Sequence, residues 1–399
     1  LIPKNKGGKI IMLNVGVIGI GNCGNQICCL AQKEANCEVF AINTSENDLA
    51  TLPESVRENS YLVGDSEGSG KNRAAAKKFL KSDITKIVAS ESFVNFMTSK
   101  DVVLIASSTG GGTGSGMAPI MSDIVRKAFK NSDGSEKCII LVGVLPRLNE
   151  GYSTQVNTLE YTHELYDVLE DPTYMLYDNN NYSKETSYVV LQKVNQAIVD
   201  DIKVIQCQYN VSTPFDSIDE RDMKTILSTP GRIAISSLLG VKEKDLDEKS
   251  IEQALIENLK KNAHAELQRD GIVQRTGVIT NLSDKLNSVF DTHLNEVREF
   301  VGEPVEEFLH ISVNSSRDLP NNVCLILTGL SKISDRIDKI RDRIDEINQN
   351  QAEKEASKRE SSDVTSEDIE KLNEKRNYRT VNDGEDNVDL KALFGKFGS

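Results

Sequence analysis

The stretch Ser107–Met117, SSTGGGTGSGM, constrains this chain more than any other part of it. Five glycines fall within Gly110–Gly116, between the apolar run Val102–Ala106 and a helix-like run from about Ala118. The pattern predicts strand, glycine loop and helix. Glycines leave the backbone without Cβ atoms, so consecutive N–H groups can turn toward an anion and approach it closely. The helix adds the positive end of its dipole. Thr109, Thr113 and Ser115 supply hydroxyls able to bond the same oxygens. A phosphate cradle is the physical expectation. A flexible linker is the competing explanation, but linkers do not sit between a buried strand and an amphipathic helix.

A second glycine loop lies upstream. The β-rich run Ile11–Ile18 leads into Gly19, Gly21 and Gly24, a G-x-G-x-x-G pattern followed by a helix-like stretch. Alone, this pattern fits a dinucleotide-binding unit. The next strand, Val39–Ile42, ends in Asn43-Thr44-Ser45 and not in the acid that would hold an NAD ribose, although Glu46 is close. Gly64–Arg73 (GDSEGSGKNR) approaches a P-loop, but Asp65 stands in place of its first glycine and Asn72 in place of its Ser or Thr. Ile139–Leu145, ended by Pro146, reads as a strand buried on both faces. Alternation of strands and helices makes the chain α/β.

Further on, apolar residues at helical spacing predict a long helix over Tyr188–Gln206. Pro214–Ser228 then reads as a loop entering a helix. Asp219 and Asp222, three apart, share one face of its first turn, where two carboxylates could orient a water and take its proton. Acids there are equally ordinary helix-start chemistry. Strands over Ile233–Leu239, Gly277–Thr280, His310–Val313 and Val323–Thr328, with helices near Lys249–Gln268 and Leu294–Phe308, predict a second, smaller α/β domain. Ile333, Ile337, Ile340, Ile344 and Ile347 form a stripe on a charged helix, packed on the protein's own core or in a short coiled coil.

The chain's 399 residues allow two or three domains. No apolar run approaches bilayer length, so no membrane partner is expected. A formal charge of −14, without a basic patch, argues against direct nucleic-acid binding and leaves any such role to an adaptor. Seven cysteines lack zinc-ligand spacing and read as reduced thiols of a cytoplasmic protein. Leu1–Lys9 reads as a cloning remnant or frayed end, not a signal peptide.

In this order along the chain, the motifs resemble those of the tubulin and FtsZ superfamily, over about Ile10–Ser331. The resemblance implies GTP and GDP as ligands, with Mg2+, for which no ligand residues are assigned. It places Gly21, Asn22, Cys23 and Asn25 in a first phosphate loop and Asn43 and Thr44 in a second. Gly68, Gly70 and Asn72 fall in a third loop that senses the γ-phosphate, with Lys71 replacing a usual glycine. Thr109, Gly110, Gly111, Gly112, Thr113, Gly114, Ser115 and Gly116 form the main phosphate loop. Glu150 falls at a ribose-contacting acid, but the family's arginine four residues later is Thr154. Asn179 and Asn195 match residues that read the guanine edge. Asp219 and Asp222 match the two catalytic acids, with Ser217 replacing an asparagine.

The fold expected from this likeness is a Rossmann-like GTP-binding domain over residues 10–187, a central helix over 188–206, and a catalytic loop with a smaller α/β domain over 207–330. A C-terminal helix over 331–350 and a disordered tail over 351–399 complete it. The expected function is a GTPase activated by head-to-tail self-assembly into filaments. The long C-terminal helix favours the TubZ branch, which segregates plasmid or phage DNA through a TubR-like DNA-binding adaptor. A phage-positioning or cell-division relative is the alternative. An NAD-dependent oxidoreductase, the reading from another class, leaves the second glycine loop without a role.

Overall fold

The continuous apolar runs become strands of a sheet covered on both faces. The computed structural model describes residues 13–362, apart from 65–66, 132–133, 207–216, 243–249, 268–270, 291–292 and 315–319. The expectations for residues 1–9, for Pro214–Asp216 and for the tail beyond 362 lie outside the described residues.

Ten strands form the sheet: Val15–Ile20 (β1), Glu38–Asn43 (β2), Ser60–Leu62 (β3), Val102–Ser108 (β4), Cys138–Leu145 (β5), Thr173–Asp178 (β6), Gly231–Leu239 (β7), Val273–Leu282 (β8), Pro304–Val313 (β9) and Asn322–Leu330 (β10). Their spatial order is β3-β2-β1-β4-β5-β6-β7-β10-β8-β9. Pairing is parallel from β3 through β7 and antiparallel on both sides of β10. Strands β3–β6 are joined to β7–β10 through a narrow parallel seam, Thr173–Met175 of β6 against Gly231–Ile233 of β7.

The helices are Gly21–Ala35 (α1), Glu46–Ala50 (α2), Glu54–Arg57 (α3), Arg73–Ala89 (α4), Glu91–Thr98 (α5), Thr113–Ala128 (α6), Tyr152–His163 (α7), Ser187–Gln206 (α8), Glu220–Leu227 (α9), Ile251–Lys261 (α10), Asp284–Asn287 (α11), Asn295–Val301 (α12) and Ser334–Ser362 (α13). Alternate strand residues point to opposite faces. Val17, Leu104 and Val142 therefore pack with Ile27 of α1 and Val194, Ile198 and Ile202 of α8. Ile18, Ile105 and Leu141 pack on the other face with Met117 and Met121 of α6. A third cluster, including Ala234, Leu255, Val278 and Leu325, serves β7–β10 and their helices.

The predicted helix over Leu294–Phe308 is cut short. It ends at Val301 because Gly302, at φ 104, turns the chain out of the helix, and Pro304 opens β9. Proline lacks an N–H, which the first residue of a strand can spare. The C-terminal helix, by contrast, runs past 350 to Ser362. Gln351–Arg359 is rich in Ala, Glu, Lys and Gln, good helix formers that continue a helix without an apolar stripe.

The chain divides into two compact units, residues 1–344 and 345–399. Within the first, Ile333, Ile337, Ile340 and Ile344 are buried in the core that holds Met117 and Ile105. The stripe packs on the protein's own core there. Ile340→Val should lower the unfolding free energy by about 0.5–1.5 kcal/mol, the usual cost of one buried methyl. The loss should not vary with protein concentration in denaturant titrations; a concentration-dependent loss would point to a coiled coil.

Candidate nucleotide site

The connections from β1 lead away toward β2 and β3, and those from β4 lead away toward β5 and β6, so β1 and β4 flank a topological switch point. Open α/β sheets bind ligands in the crevice at the carboxyl ends of such strands. Both glycine loops open helices at this crevice. Gly21 adopts φ 71, and a Cβ there would lie 3.1 Å from the Gly114 backbone N. The N-termini of α1 and α6 thus meet, and their unsatisfied N–H groups and dipoles make the crevice anion-binding.

Two further loops and a helix close around the start of α6. The Thr113 hydroxyl lies 2.7 Å from that of Thr44, after β2, and 3.0 Å from that of Ser69, after β3. A Cβ on Gly112 would lie 2.7 Å from the Asn72 backbone N, so the loop carrying Gly68 and Gly70 presses directly on the glycine run. From α7, the Asn157 amide donates to Gly110 O and Gly111 O at 3.1 Å each and to Lys71 O at 3.0 Å. Gly111, in contrast, has open space where its Cβ would be: the nearest atom is Ser108 Oγ at 4.0 Å.

Several predicted residues hold the loops in shape. Asn25 is buried and, with its amide turned to satisfy both ends, donates to Gly19 O and Gly21 O and accepts from Asn43 Nδ2 at 3.0 Å. Asn43 Oδ1 accepts from Thr44 N at 2.8 Å. Asn72 caps α4, accepting from Ala75 N at 3.0 Å. Thr109 spends its hydroxyl on Val144 O and Thr158, and Ser115 donates to Gly111 O. Of the three hydroxyls among the glycines, Thr113 alone joins the cluster with Thr44 and Ser69.

Beside the glycine run, a cavity of about 500 Å3 is lined by Cys23, Ser108, Arg147, Glu150, Asn179 and Leu191, among others. Asn179 Oδ1 is buried there without a hydrogen-bond partner, a costly state that a ligand donor would relieve. Glu150 accepts from Arg147 N at 2.9 Å through one carboxylate oxygen. Asn22, Cys23 and Asn195 line an adjoining groove between α1 and α8. Burial pushes the Cys23 thiol up to about 12, so it is a protonated wall residue at neutral pH. Cys23, Cys28, Cys29, Cys37 and Cys138 form no disulfide.

Thr154 does not line this cavity. It is buried on α7, against Gly110, and accepts from Lys71 Nζ at 3.3 Å. The departure from the family pattern at 154 therefore falls beside the glycine run and not at this cavity. Sequence reasoning also missed what lies behind the cavity. Arg336 donates through Nε to Asp178 Oδ2 at 2.6 Å and through Nη2 to Pro146 O at 2.5 Å. Arg343 donates to Leu148 O at 3.1 Å. Two arginines of α13 thus fix the loops after β5 and β6. The i,i+7 spacing on an otherwise apolar stripe is the only sequence trace of this.

Asp219 and Asp222 lie elsewhere. Asp219 Oδ1 accepts from Asp222 N at 2.9 Å, and Asp222 Oδ2 accepts from Asp219 N at 3.1 Å, a reciprocal capping box opening α9. Lys224 of this helix donates to Asp101 Oδ1 at 2.9 Å, and Asp101 Oδ2 accepts from Asn14 N at 2.9 Å. Asp101 directly precedes β4 and Asn14 directly precedes β1, so α9 sits at the amino edge of the parallel sheet. The glycine loops are at its carboxyl edge. The seven residues of β4 separate the two by about 23 Å at about 3.3 Å per residue.

Residues 14–186 match the family model described as "Tubulin/FtsZ family, GTPase domain". The chain is 27% identical over 225 residues to the tubulin-like protein CetZ of Pyrococcus horikoshii, covering 55% of this chain and 59% of that protein. It is 27% identical over 181 residues to the tubulin-like protein TubZ of Clostridium botulinum C phage, covering 45% and 47% respectively. The chain thus spans less than two thirds of the length of these relatives. In fold it is similar to the crystal structure of Clostridium botulinum phage c-st TubZ, with TM-score 0.67 at 20% identity over 85% of this chain and 100% of that one. It is similar also to the GTPγS-form protofilament of Bacillus thuringiensis serovar israelensis TubZ, with TM-score 0.69 at 17% identity over 88% and 95%.

Proposed function

We propose that this chain, which carries a tubulin/FtsZ-family GTPase domain over residues 14–186, binds and hydrolyses GTP and assembles head to tail into filaments. The observation that carries the reading is the placement of the glycine cradle and the acid pair on opposite edges of one sheet. A subunit cannot bring its own acids to its own nucleotide. Stacking the amino edge of one copy on the carboxyl edge of the next completes a site between them. Such a heterologous contact does not close, and it repeats as a filament.

The α1 and α6 N-termini and the glycine run hold the phosphates, and Thr44, Ser69 and Thr113 set the far wall of the cradle. Asn179 and Asn195 face the base, with Glu150 beside the ribose. Among the described residues no group of three or more His, Cys, Asp or Glu side chains could hold a metal. Mg2+, for which no ligand residues are assigned, would neutralise the phosphate charge when bound with the nucleotide. Asp219 and Asp222 of the incoming subunit orient the attacking water and accept its proton.

Purified protein should retain guanine nucleotide and not NAD, because β2 ends in Asn43, whose side chain is committed to the loops. Asn195→Ala should weaken GTP binding by about 1–3 kcal/mol, the cost of leaving a buried polar group unpaired. Equal affinities of the unaltered protein for GTP and ATP would count against guanine recognition by these amides.

The cargo reading is that of plasmid or phage DNA carried through a TubR-like DNA-binding adaptor. The formal charge of −14 supports an adaptor over direct DNA contact. Electron microscopy with GTP, and with DNA alone or DNA plus a candidate adaptor, tests it. Filaments that decorate naked DNA, or ignore DNA even with the adaptor, would overturn it.

A further inference from the structure

Strands β5 and β6 end side by side, and Leu145 against Asp178 is the last pair of their ladder. From there the two loops line the cavity of about 500 Å3, Pro146, Arg147, Asn149 and Glu150 from one and Asn179 from the other. The GTP reading gives this cavity to the base and ribose. Its width depends on whatever holds the two loops in place beyond the sheet.

One side chain reaches both. Arg336 donates to Asp178 through Nε to Oδ2 at 2.6 Å and through Nη2 to Oδ1 at 3.1 Å, and the same Nη2 donates to Pro146 O at 2.5 Å. These partners directly precede Asn179 and Arg147, which line the cavity. Asp178 Oδ1 also accepts from Asn180 N at 2.9 Å, and Asn180 Oδ1 accepts from Leu148 N at 3.2 Å. Arg343 holds Leu148 O. The network thus runs from α13 into each loop and from one loop to the other. A guanidinium is planar, with its donors in a fixed fork, so it sets a spacing that a flexible ammonium cannot.

Stability alone does not account for this residue. Arg336 is buried on the stripe of Ile333, Ile337 and Ile340, where an apolar side chain would pack without desolvating a charge. Its remaining nitrogen, Nη1, is buried with no hydrogen-bond partner, a further cost. What the arginine adds is the tie between the loops. We infer that Arg336 is a positioning residue for the nucleotide, fixing the separation of the two loops that line the cavity, and that nucleotide affinity is thereby coupled to the seating of α13 on the core. The inference rests on the GTP reading above and adds to it a control exerted by a helix that does not itself line the cavity. Such coupling is reciprocal, so bound nucleotide must in turn hold the helix.

The test uses the full chain with GTPγS and GDP as probes. Arg336→Lys keeps a positive charge opposite Asp178 and loses the fork. It should weaken GTPγS and GDP equally, by about tenfold, the size of one misaligned hydrogen bond, because the loops frame the cavity and not the phosphates. In GTP turnover the loss should fall on KM, with kcat at saturating GTP held, the mark of lost binding. Arg336→Met combined with Asp178→Asn removes both buried charges together and leaves neither unpaired, so a folded variant is in hand should the lysine variant unfold. It should show the same equal loss. In the unaltered protein, GDP should slow amide hydrogen exchange over Ser334–Ile344. Unchanged affinities in a folded variant, a loss confined to GTPγS, or exchange in α13 indifferent to GDP would overturn the assignment while the GTP reading stands. If the unaltered protein binds neither probe, the GTP reading itself fails, and this inference with it.

Discussion

Replacing Asp222 by asparagine should slow GTP turnover by roughly 10²–10⁴, the range for loss of a positioned base, while GTP affinity stays nearly unchanged. Asparagine is the informative replacement because of what the carboxylates do in the single subunit. They cap each other's backbone, and removing a cap outright costs about 0.5–2 kcal/mol of stability. An asparagine oxygen still accepts from Asp219 N, and asparagine caps about as well as aspartate, so Asp219→Asn is matched in the same way. What both variants lose is charge and basicity. Filaments of either should persist longer in GTP than those of the unaltered protein. The same logic predicts that turnover per subunit rises steeply with concentration, because an isolated subunit holds half a site. A dilution series through the assembly threshold decides the matter. A constant rate per subunit across it would mean that each subunit hydrolyses alone, and the shared site would have to be abandoned.

The parts of this molecule that were legible in the sequence are those where local chemistry and tertiary role coincide. A parallel strand buried on both faces must be a continuous apolar run, and Val102–Ala106 and Ile139–Leu145 are nothing else. Glycines between such a strand and a helix let backbones approach closely, and at Gly21 and Gly112 a Cβ would crowd the Gly114 or Asn72 backbone. Elsewhere the signal was present but ambiguous. Asp219 and Asp222 carry both meanings at once, as a reciprocal cap in the single subunit and as proposed acids toward its neighbour. Asn72 and Asn25, expected at the nucleotide, serve within the protein as a cap and as a tie between loops.

What sequence reasoning missed depends on long-range pairing. Nothing near Arg336 in the chain announces that it will be buried against Asp178, 158 positions away. The pair, with Pro146 O, holds the two loops that frame the cavity beside the glycine run. Asn157 is similar, although a trace existed. Thr154, Gln155, Asn157, Thr158 and Thr162 are all buried polar residues of one twelve-residue helix. A buried polar face needs partners, and here they include the glycine loop carbonyls, the Arg147 carbonyl, Lys71 and the backbone of α7 itself. The shortened α12 was also readable: Gly302 followed by Pro304 stops a helix more strongly than apolar periodicity extends it.

Gly111→Asp should abolish nucleotide binding while leaving the fold intact, and the structure explains why both halves of that expectation hold. Most of the glycine run is too crowded for a side chain. Gly112 would drive a Cβ into Asn72 N, and Gly114 would bring one to 2.8 Å from Ile20 O. At Gly111 a Cβ meets nothing closer than 4.0 Å, so a side chain has room. An aspartate just ahead of α6 also sits favourably against the helix N-terminus, which limits any loss of stability. The carboxylate then occupies the space where the cradle's N–H groups would receive a phosphate. Two unit charges about 4 Å apart repel by about 4 kcal/mol at an effective dielectric constant near 20, a loss of roughly 10³ in affinity for each phosphate charge it faces. Gly111→Asn, nearly the same size without the charge, should retain far more binding, and the melting temperatures of the two variants should agree. Titration of fluorescent GTP into both, beside thermal unfolding, makes the comparison. Should the aspartate variant bind GTP as tightly as the unaltered chain, the phosphates lie elsewhere, and the glycine run is a packing device between α6 and its neighbouring loops.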